Sequence, residues 1–392
     1  MDFLYISPEF PPNYANFIVQ LNLAGIDVWG LGEADFYAMP EPLRAAMRWY
    51  VKTDLRDFEA VKRAIAELLA VKVTRGRPGS FDCVESHNEQ WLRLESMINE
   101  EFGVEGIRLD DLDRLKKKSV MKAVFEQNGL KVAGGGRVAD LDHAIQLSRT
   151  LGYPLILKPD EGVGAGGVYR IEDERQLVDV LPRCDSDYVL ESFVDGRIVT
   201  YDGLTDHSGK VIFENSLVYG DGVLESVLGR DTFFYVNRRI PVDLKKIGCG
   251  LVPLFNIQRK FFHFEFFALD NGYTPIEINC RPPGGSILDM MNYSIDDDLY
   301  RAYARMMAAD DVVILPLKKY YVCYLGRKKN EYVHSHSDIL SRYGQRLVEH
   351  NENPPLYHGA MGRYRYIFRS ETESEISDIA AYVLDKLPTP SA

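Results

Sequence analysis

The segment from Lys260 to Asn279 constrains this chain most. Lys260-Phe261-Phe262-His263-Phe264-Glu265-Phe266-Phe267-Ala268-Leu269 is dense in strand-favouring residues, Asp270-Asn271-Gly272 is a turn signal, and Tyr273 to Asn279 reads as the return strand. If 270–272 form a three-residue loop, Leu269 faces Tyr273, and the same register sets Glu265 opposite Glu277. Side-chain alternation then puts Glu277, Asn279 and Arg281 on one face, provided the strand persists that far. Two carboxylates facing each other among aromatic neighbours repel and lose hydration. A divalent cation would resolve that conflict, and oxygen donors from Glu265, Glu277 and Asn279 suit Mg²⁺ or Mn²⁺. The plainer account is a solvated hairpin face on which Arg281 pairs one glutamate. Phe262, Phe264, Phe266 and the following Arg281-Pro282-Pro283-Gly284-Gly285 weigh against it. His263 shares the face of Glu265 and is read as a hydrogen-bonded structural residue, because a hard cation prefers oxygen.

The chain around this hairpin is too long, at 392 residues, for one ordinary core. Its first hundred residues alternate strand-like runs (3–7, 27–31, 81–85) with helix-like ones (16–23, 57–70), a pattern that predicts a parallel, doubly wound α/β domain. No glycine-rich dinucleotide fingerprint follows its first strand, so this domain is read as structural or substrate-facing. Composition turns strongly charged near residues 110–118, and a helix over 118–128 opens a second unit with strands near 155–158, 167–171 and 188–193 and a helix at 174–181. The expected domains are 1–112, 113–310 and 311–392. The last holds strands near 320–325 and 364–369 and a helix over 375–387 with Ser374 as N-cap. Its Tyr- and His-containing stretch could cover an active site, build the contact of a homodimer or finish the core.

A net charge of -12, from 46 basic and 58 acidic residues, disfavours nucleic acid as a main partner. No apolar stretch reaches 18 residues, which argues against a membrane span. The start, Met1-Asp2-Phe3-Leu4-Tyr5-Ile6, has no basic n-region, and five scattered cysteines form no CxxC pair, so a cytoplasmic protein with reduced thiols is expected.

Gly162-Val163-Gly164-Ala165-Gly166-Gly167 matches GxGxxG, but Val168-Tyr169-Arg170-Ile171 after it reads as a strand where a dinucleotide site needs a helix. The segment is better read as a strand–loop–strand flap whose backbone N–H groups approach phosphate oxygens, with a flexible surface hairpin as the alternative. Lys158, at the end of the apolar run Pro154-Leu155-Ile156-Leu157, favours the flap, since a buried lysine needs an anionic partner. Lys116, Lys117 and Lys118 are by themselves a solvated charge run.

Taken in order, these pieces resemble the ATP-grasp superfamily over roughly residues 1 to 310. Lys118-x-x-Met121 ahead of Gly129 is similar to that family's first ATP-binding lysine, and Tyr153 to Pro159 followed by the flap (Gly164, Gly166, Gly167) to its second, Lys158. Val189-Leu190-Glu191-Ser192-Phe193-Val194-Asp195-Gly196 resembles the hinge that holds adenine, with the Phe193 and Val194 backbones reading the base edge and Glu191 nearby. Phe264-Glu265-Phe266 and Ile276-Glu277-Ile278-Asn279-Cys280-Arg281 resemble the metal strands and the phosphate-contacting arginine. Arg197-Ile198 departs from the family pattern, where many members carry an acidic residue.

The resemblance implies a fold and a reaction. The fold would be an N-terminal α/β domain, an ATP-grasp domain and a small C-terminal α+β piece. The reaction would be an ATP- and Mg²⁺-dependent carboxylate–amine ligation: a substrate carboxylate takes the γ-phosphoryl group, and an amine then displaces phosphate. Lys158 and Lys118 would neutralise phosphate oxygens and Arg281 would stabilise the transferring group, with small-molecule acids and amines as partners. Arg239, between hinge and hairpin, is a candidate substrate contact or else a surface arginine. A phosphotransferase using the same cradle, and a nucleotide-binding regulatory protein without turnover, are the competing readings.

Overall fold

A computed structural model describes residues 1–162, 166–184, 187–220, 231–308, 315–328 and 332–387. Strands are numbered in chain order. β1 (Asp2–Ile6), β2 (Asp27–Gly32), β3 (Met47–Lys52) and β4 (Cys83–Glu85) form a parallel sheet in the order β3-β2-β1-β4. β1 and β2 are buried along their whole length, which explains why they read as unbroken apolar runs. The helices Ala15–Leu23 and Phe58–Thr74 provide the crossovers around them. From β1 the chain moves to β2 and β3 on one side and then crosses back to β4 on the other side of β1, so the C-terminal ends of β1 and β4 flank a topological switch point.

β5 (Gly135–Arg137), β6 (Leu155–Pro159), β7 (Tyr169–Ile171) and β8 (Tyr188–Ser192) make a small antiparallel sheet in the order β5-β8-β6-β7. The helix Lys118–Gln127 precedes it in the chain, and the helices Leu141–Leu151 and Glu174–Val180 belong to it.

The remaining strands are β9 (Arg197–Thr205), β10 (Val211–Asn215), β11 (Leu217–Tyr219), β12 (Thr232–Val236), β13 (Phe261–Leu269), β14 (Gly272–Asn279), β15 (Tyr321–Arg327), β16 (Leu347–Glu352) and β17 (Tyr364–Ser370). Among the described residues they form one nine-stranded sheet, β14-β13-β9-β11-β12-β15-β17-β16, with β10 on β9. The strands after residue 320 thus extend the sheet that holds the acidic hairpin. On this sheet Phe262, Phe264 and Phe266 turn to one face, against the helix Val242–Leu254, while His263 and Glu265 turn to the other. That second face meets the N-terminal sheet and the helices Ile287–Ile295 and Leu299–Ala308.

Two local expectations change. The final helix spans Glu373–Val383, and its N-cap is Thr372, whose hydroxyl accepts the Glu375 N–H; Ser374 lies inside the first turn. The hairpin turn is also one residue shorter than read, because Leu269 pairs with Gly272, and Gly272 adopts φ 130°. A register shift between Glu265 and Phe266 makes up the difference. Pro275 faces Phe266 and Glu277 faces Glu265, leaving Ile276 as the extra residue of a bulge on the sheet's edge strand, where a proline is tolerated.

Candidate active site

The bulge is what brings the two acids together. Without it Glu265 would face Ile276; with it Glu265 and Glu277 are direct partners, and Asn279 faces His263. Both carboxylates remain partly accessible, whereas the phenylalanines between them and the helix layer are sealed. Asn279 Nδ2 lies 3.4 Å from Glu277 Oε1. His263 bridges two carboxylates, with Nδ1 2.6 Å from Asp202 on β9 and Nε2 3.0 Å from Glu265. Burial works against its charge, but Asp202 and then Glu265 outweigh it and lift its pKa to about 9. Asp202 is itself held by Thr200 Oγ1 and Asn215 Nδ2.

From the other side Lys118 Nζ reaches Glu277 Oε2 at 3.2 Å. Burial pushes the Glu277 pKa up, and the cations of Lys118 and Lys158 more than offset it, so the group is held below its ordinary value. Lys118 begins its helix without a side-chain cap from Lys117. Asp160 supplies the cap: its carbonyl accepts the Lys118 N–H at 2.9 Å, and its carboxylate accepts the Ser119 N–H at 2.8 Å and the Ser119 hydroxyl at 2.7 Å. Asp160 follows Lys158-Pro159 at the end of β6, so one buried aspartate fixes both lysine-bearing elements to each other.

Lys158 faces Val189 across β6 and β8, which makes Glu191 its diagonal neighbour, and the two form a 2.7 Å ion pair. Lys122, one turn beyond Lys118 on the same helix face, meets the other Glu191 oxygen at 2.8 Å. These two ammonium groups outweigh burial and hold the Glu191 carboxyl below its usual range. Phe193 follows β8; its N–H donates to the Pro154 carbonyl at 3.2 Å, and the Arg170 guanidinium lies 4.4 Å over its ring. Val194, half-buried, comes next.

In the flap, Gly164 lies outside the described residues. Gly166 has open space where a side chain would project, whereas Gly167 at φ +74° would drive a Cβ against the Tyr188 hydroxyl at 2.8 Å. Arg281, just past β14, donates to the Pro282 carbonyl at 2.8 Å and lines a cavity together with Glu265 and His263. Arg239 is exposed in the segment after β12 and lines none of this cavity.

Three participants carry no motif. Lys122 could have been found from its i+4 spacing to Lys118. Glu89 follows the C-terminal end of β4, a position where parallel sheets place ligand-facing loops. Its buried carboxyl is pushed up by burial, with Lys116 and Arg281 opposing. Asp202 gave no signal, since one aspartate in a strand looks like any other.

Among the described residues no group of three or more His, Cys, Asp and Glu side chains forms a metal cluster. The donor set is two carboxylates and an amide on adjacent strands, with lysines beside them. That suits a cation which completes its shell with water and phosphate oxygens, as Mg²⁺ does. Also among the described residues, no helix is long and apolar enough to cross a membrane.

No family model matches the chain. An L-arginine-specific L-amino acid ligase from Bacillus subtilis is 22% identical over 265 residues, a match spanning 64% of this chain and 62% of that protein. A crystal structure of an L-amino acid ligase from Bacillus licheniformis superposes with a TM-score of 0.72 at 15% identity, covering 97% of this chain and 95% of that one. The biotin carboxylase domain of the Hydrogenobacter thermophilus 2-oxoglutarate carboxylase, solved in complex with MgADP, ADP and bicarbonate, superposes with a TM-score of 0.65 at 14% identity over 98% of this chain and 90% of that one.

Proposed function

We propose that this chain, which has the fold of the ATP-grasp ligases, uses ATP and Mg²⁺ to join a small carboxylic acid to an amine, releasing ADP and phosphate. The observation that carries the proposal is the meeting of Lys118 with Glu277 on a hairpin where Glu265 faces Glu277, one helix turn from the Lys122–Glu191–Lys158 ion triad. Cations and carboxylates gathered in one cleft are what a polyanionic nucleotide and its cation require, and phosphoryl transfer needs little else from a protein. Residues 1–112 would precede the grasp, 113–310 would form it, and 311–392 would carry the three strands that extend its sheet.

In this reading Glu265, Glu277 and Asn279 hold Mg²⁺, or Mn²⁺ in its place. The cation, when bound, neutralises phosphate charge as a Lewis acid. Lys158 exchanges Glu191 for phosphate oxygens, and Lys118 does the same from Glu277. Gly166 and Gly167 leave the flap backbone open to the phosphates; the expected contribution of Gly164 falls outside the described residues. The Phe193 N–H is committed to Pro154, so its carbonyl and the Val194 N–H are the groups left to read the adenine edge. Arg281 orients the substrate carboxylate and stabilises charge on the transferring phosphoryl group. His263, held by Asp202, fixes the Glu265 carboxylate in place. The relatives' names and the amide-forming chemistry point to amino acids as the acid and the amine.

The test is incubation of the full chain with ATP, Mg²⁺ and pairs of amino acids. ADP and free phosphate in equal amounts, with a dipeptide-mass product, is the expected result. A stable phosphorylated acid without free phosphate would replace the ligase with a phosphotransferase. Nucleotide binding with no turnover for any pair would leave a regulatory protein.

A further inference from the structure

The cavity beside Arg281 is nearly bipolar. Its charged groups, His263, Glu265 and Arg281, stand on the hairpin side. The rest is a chamber walled mainly by Phe10, Tyr14, Phe234, Ile287, Tyr357 and Met361. His87, Asn88 and Tyr219 add polar atoms, and the whole cavity encloses about 360 Å³. It lies where the β1/β4 switch point of the N-terminal sheet faces the long sheet, and the Phe10 and Tyr357 rings on its lining stack with centroids 6.4 Å apart.

The Tyr14 and Thr232 hydroxyls on these walls are already occupied, whereas His87 on the lining leaves its buried Nε2 without a partner among the described residues. Tyr14 Oη donates to the Pro282 and Pro283 carbonyls, each at 3.4 Å, and Thr232 Oγ1 donates to the Ala360 carbonyl at 2.6 Å. Glu265, the carboxylate on the lining, is bonded to His263 and is a metal candidate besides. A cationic side chain extended into the chamber would therefore lose its water and meet no free counter-charge, and an anionic one would meet the aromatic walls. Gly284 leaves further open space at the rim.

We infer that this chamber receives the side chain of the carboxylate substrate, and that this substrate is an amino acid with an aliphatic or aromatic side chain. The inference rests on the ligase reading only for the identity of the carboxylate. Arg281 would hold that carboxylate at the polar end, and the side chain would then point away from the hairpin into the apolar walls. The selectivity follows from burial: apolar surface gains by leaving water, whereas a polar side chain gives up hydrogen bonds that the mainly apolar walls return only in part.

The experiment measures ADP release and calorimetric binding in parallel on the full chain with Mg²⁺. ATP is used for turnover and a non-hydrolysable ATP analogue for binding. Leucine, methionine and phenylalanine should exceed arginine, glutamate and serine in kcat/KM by about tenfold or more. Ala360→Phe should cut use of phenylalanine by about tenfold while sparing alanine, because it removes volume and leaves the polar end intact. Met361→Ala should move preference the opposite way, toward the larger acids. Turnover confined to charged or polar acids would overturn the inference and leave the ligase reading standing. Binding of apolar acids that Ala360→Phe weakens, without turnover of any acid, would sustain the chamber and remove the ligase. Selectivity unmoved by both variants, or no binding of any apolar acid, would overturn the inference outright.

Discussion

Glu277 answers to two demands at once. Its partner across the hairpin is another carboxylate, which repels it, and its partner across the cleft is Lys118, which attracts it. The ammonium wins in the free protein, holding the Glu277 carboxyl below its ordinary value despite burial. In the proposed function Lys118 would turn to phosphate oxygens and Glu277 would help hold the cation. Glu277→Gln keeps the shape and removes the charge. Turnover should fall by about 10²–10³-fold, the loss typical of removing one preorganised electrostatic contact. The Mg²⁺ concentration for half-maximal activity should rise, while the circular dichroism spectrum stays unchanged. Kinetics at graded Mg²⁺ check this, and an unaltered metal requirement would remove Glu277 from the metal site. The spacing on the chain made Glu277 visible, whereas Asp202 stayed hidden because its role depends on a strand, β9, whose pairing with β13 no local pattern announces.

At the scale of elements, Asp160 ties the small sheet to the helix that carries Lys118. Its carboxylate takes the place of a cap that the helix's own N-terminal residue does not provide. Asp160→Ala should cost about 0.5–2 kcal/mol in stability, the usual range for a lost cap. It should also raise the KM for ATP more than it lowers kcat, since Lys118 and Lys158 lose their common brace. Urea unfolding and steady-state kinetics on one preparation test both parts. β1 and β2 were legible as unbroken apolar runs and the helix Phe58–Thr74 by its period over seventeen residues. β3, β9, β11 and β12 were not, since these strands take their register from partners distant in the chain. The hairpin shows both sides of this. Its turn is one residue tighter than the sequence suggests, and the bulge at Ile276 returns the acids to the predicted pairing. The facing acids were therefore expected for a partly wrong reason: alternation exposes the period of a strand but not where an extra residue enters.

The whole molecule depends on how the N-terminal sheet docks against the long one, and a buried ion triad marks that seam. Lys260, which leads directly into β13, contacts Glu85 of β4 at 2.6 Å and Glu95 of the helix Leu92–Glu101 at 3.0 Å. One ammonium cannot neutralise two carboxylates. For Glu85, burial opposes the charge but Lys260 outweighs it, so its carboxyl is held down to about 2. Glu95 is pushed up to about 7 by burial and by the Glu85 charge, with Lys260 only partly opposing. Nearby His87 adds no cation, because burial takes its pKa down to about 3. The two acids give opposite slopes. Glu85, depressed in the fold, contributes stability that is present above its ordinary 4.5 and is lost as pH falls through about 2. Glu95, raised in the fold, contributes stability that is full below 4.5 and is lost as pH rises through about 7, because the folded chain there binds a proton that the unfolded chain has released. The thermal midpoint of the native protein should therefore decline between these two values, in a window where ordinary carboxylates have finished titrating. Glu95→Gln, which carries the neutral form permanently, should flatten that decline and should exceed the native midpoint above pH 7. Scanning calorimetry in matched buffers measures it, and parallel profiles for the two proteins would mean that the seam does not titrate there. Because Lys260 opens the strand that bears His263 and Glu265, deprotonation of Glu95 loads charge onto the contact that seats the acidic hairpin against the N-terminal sheet.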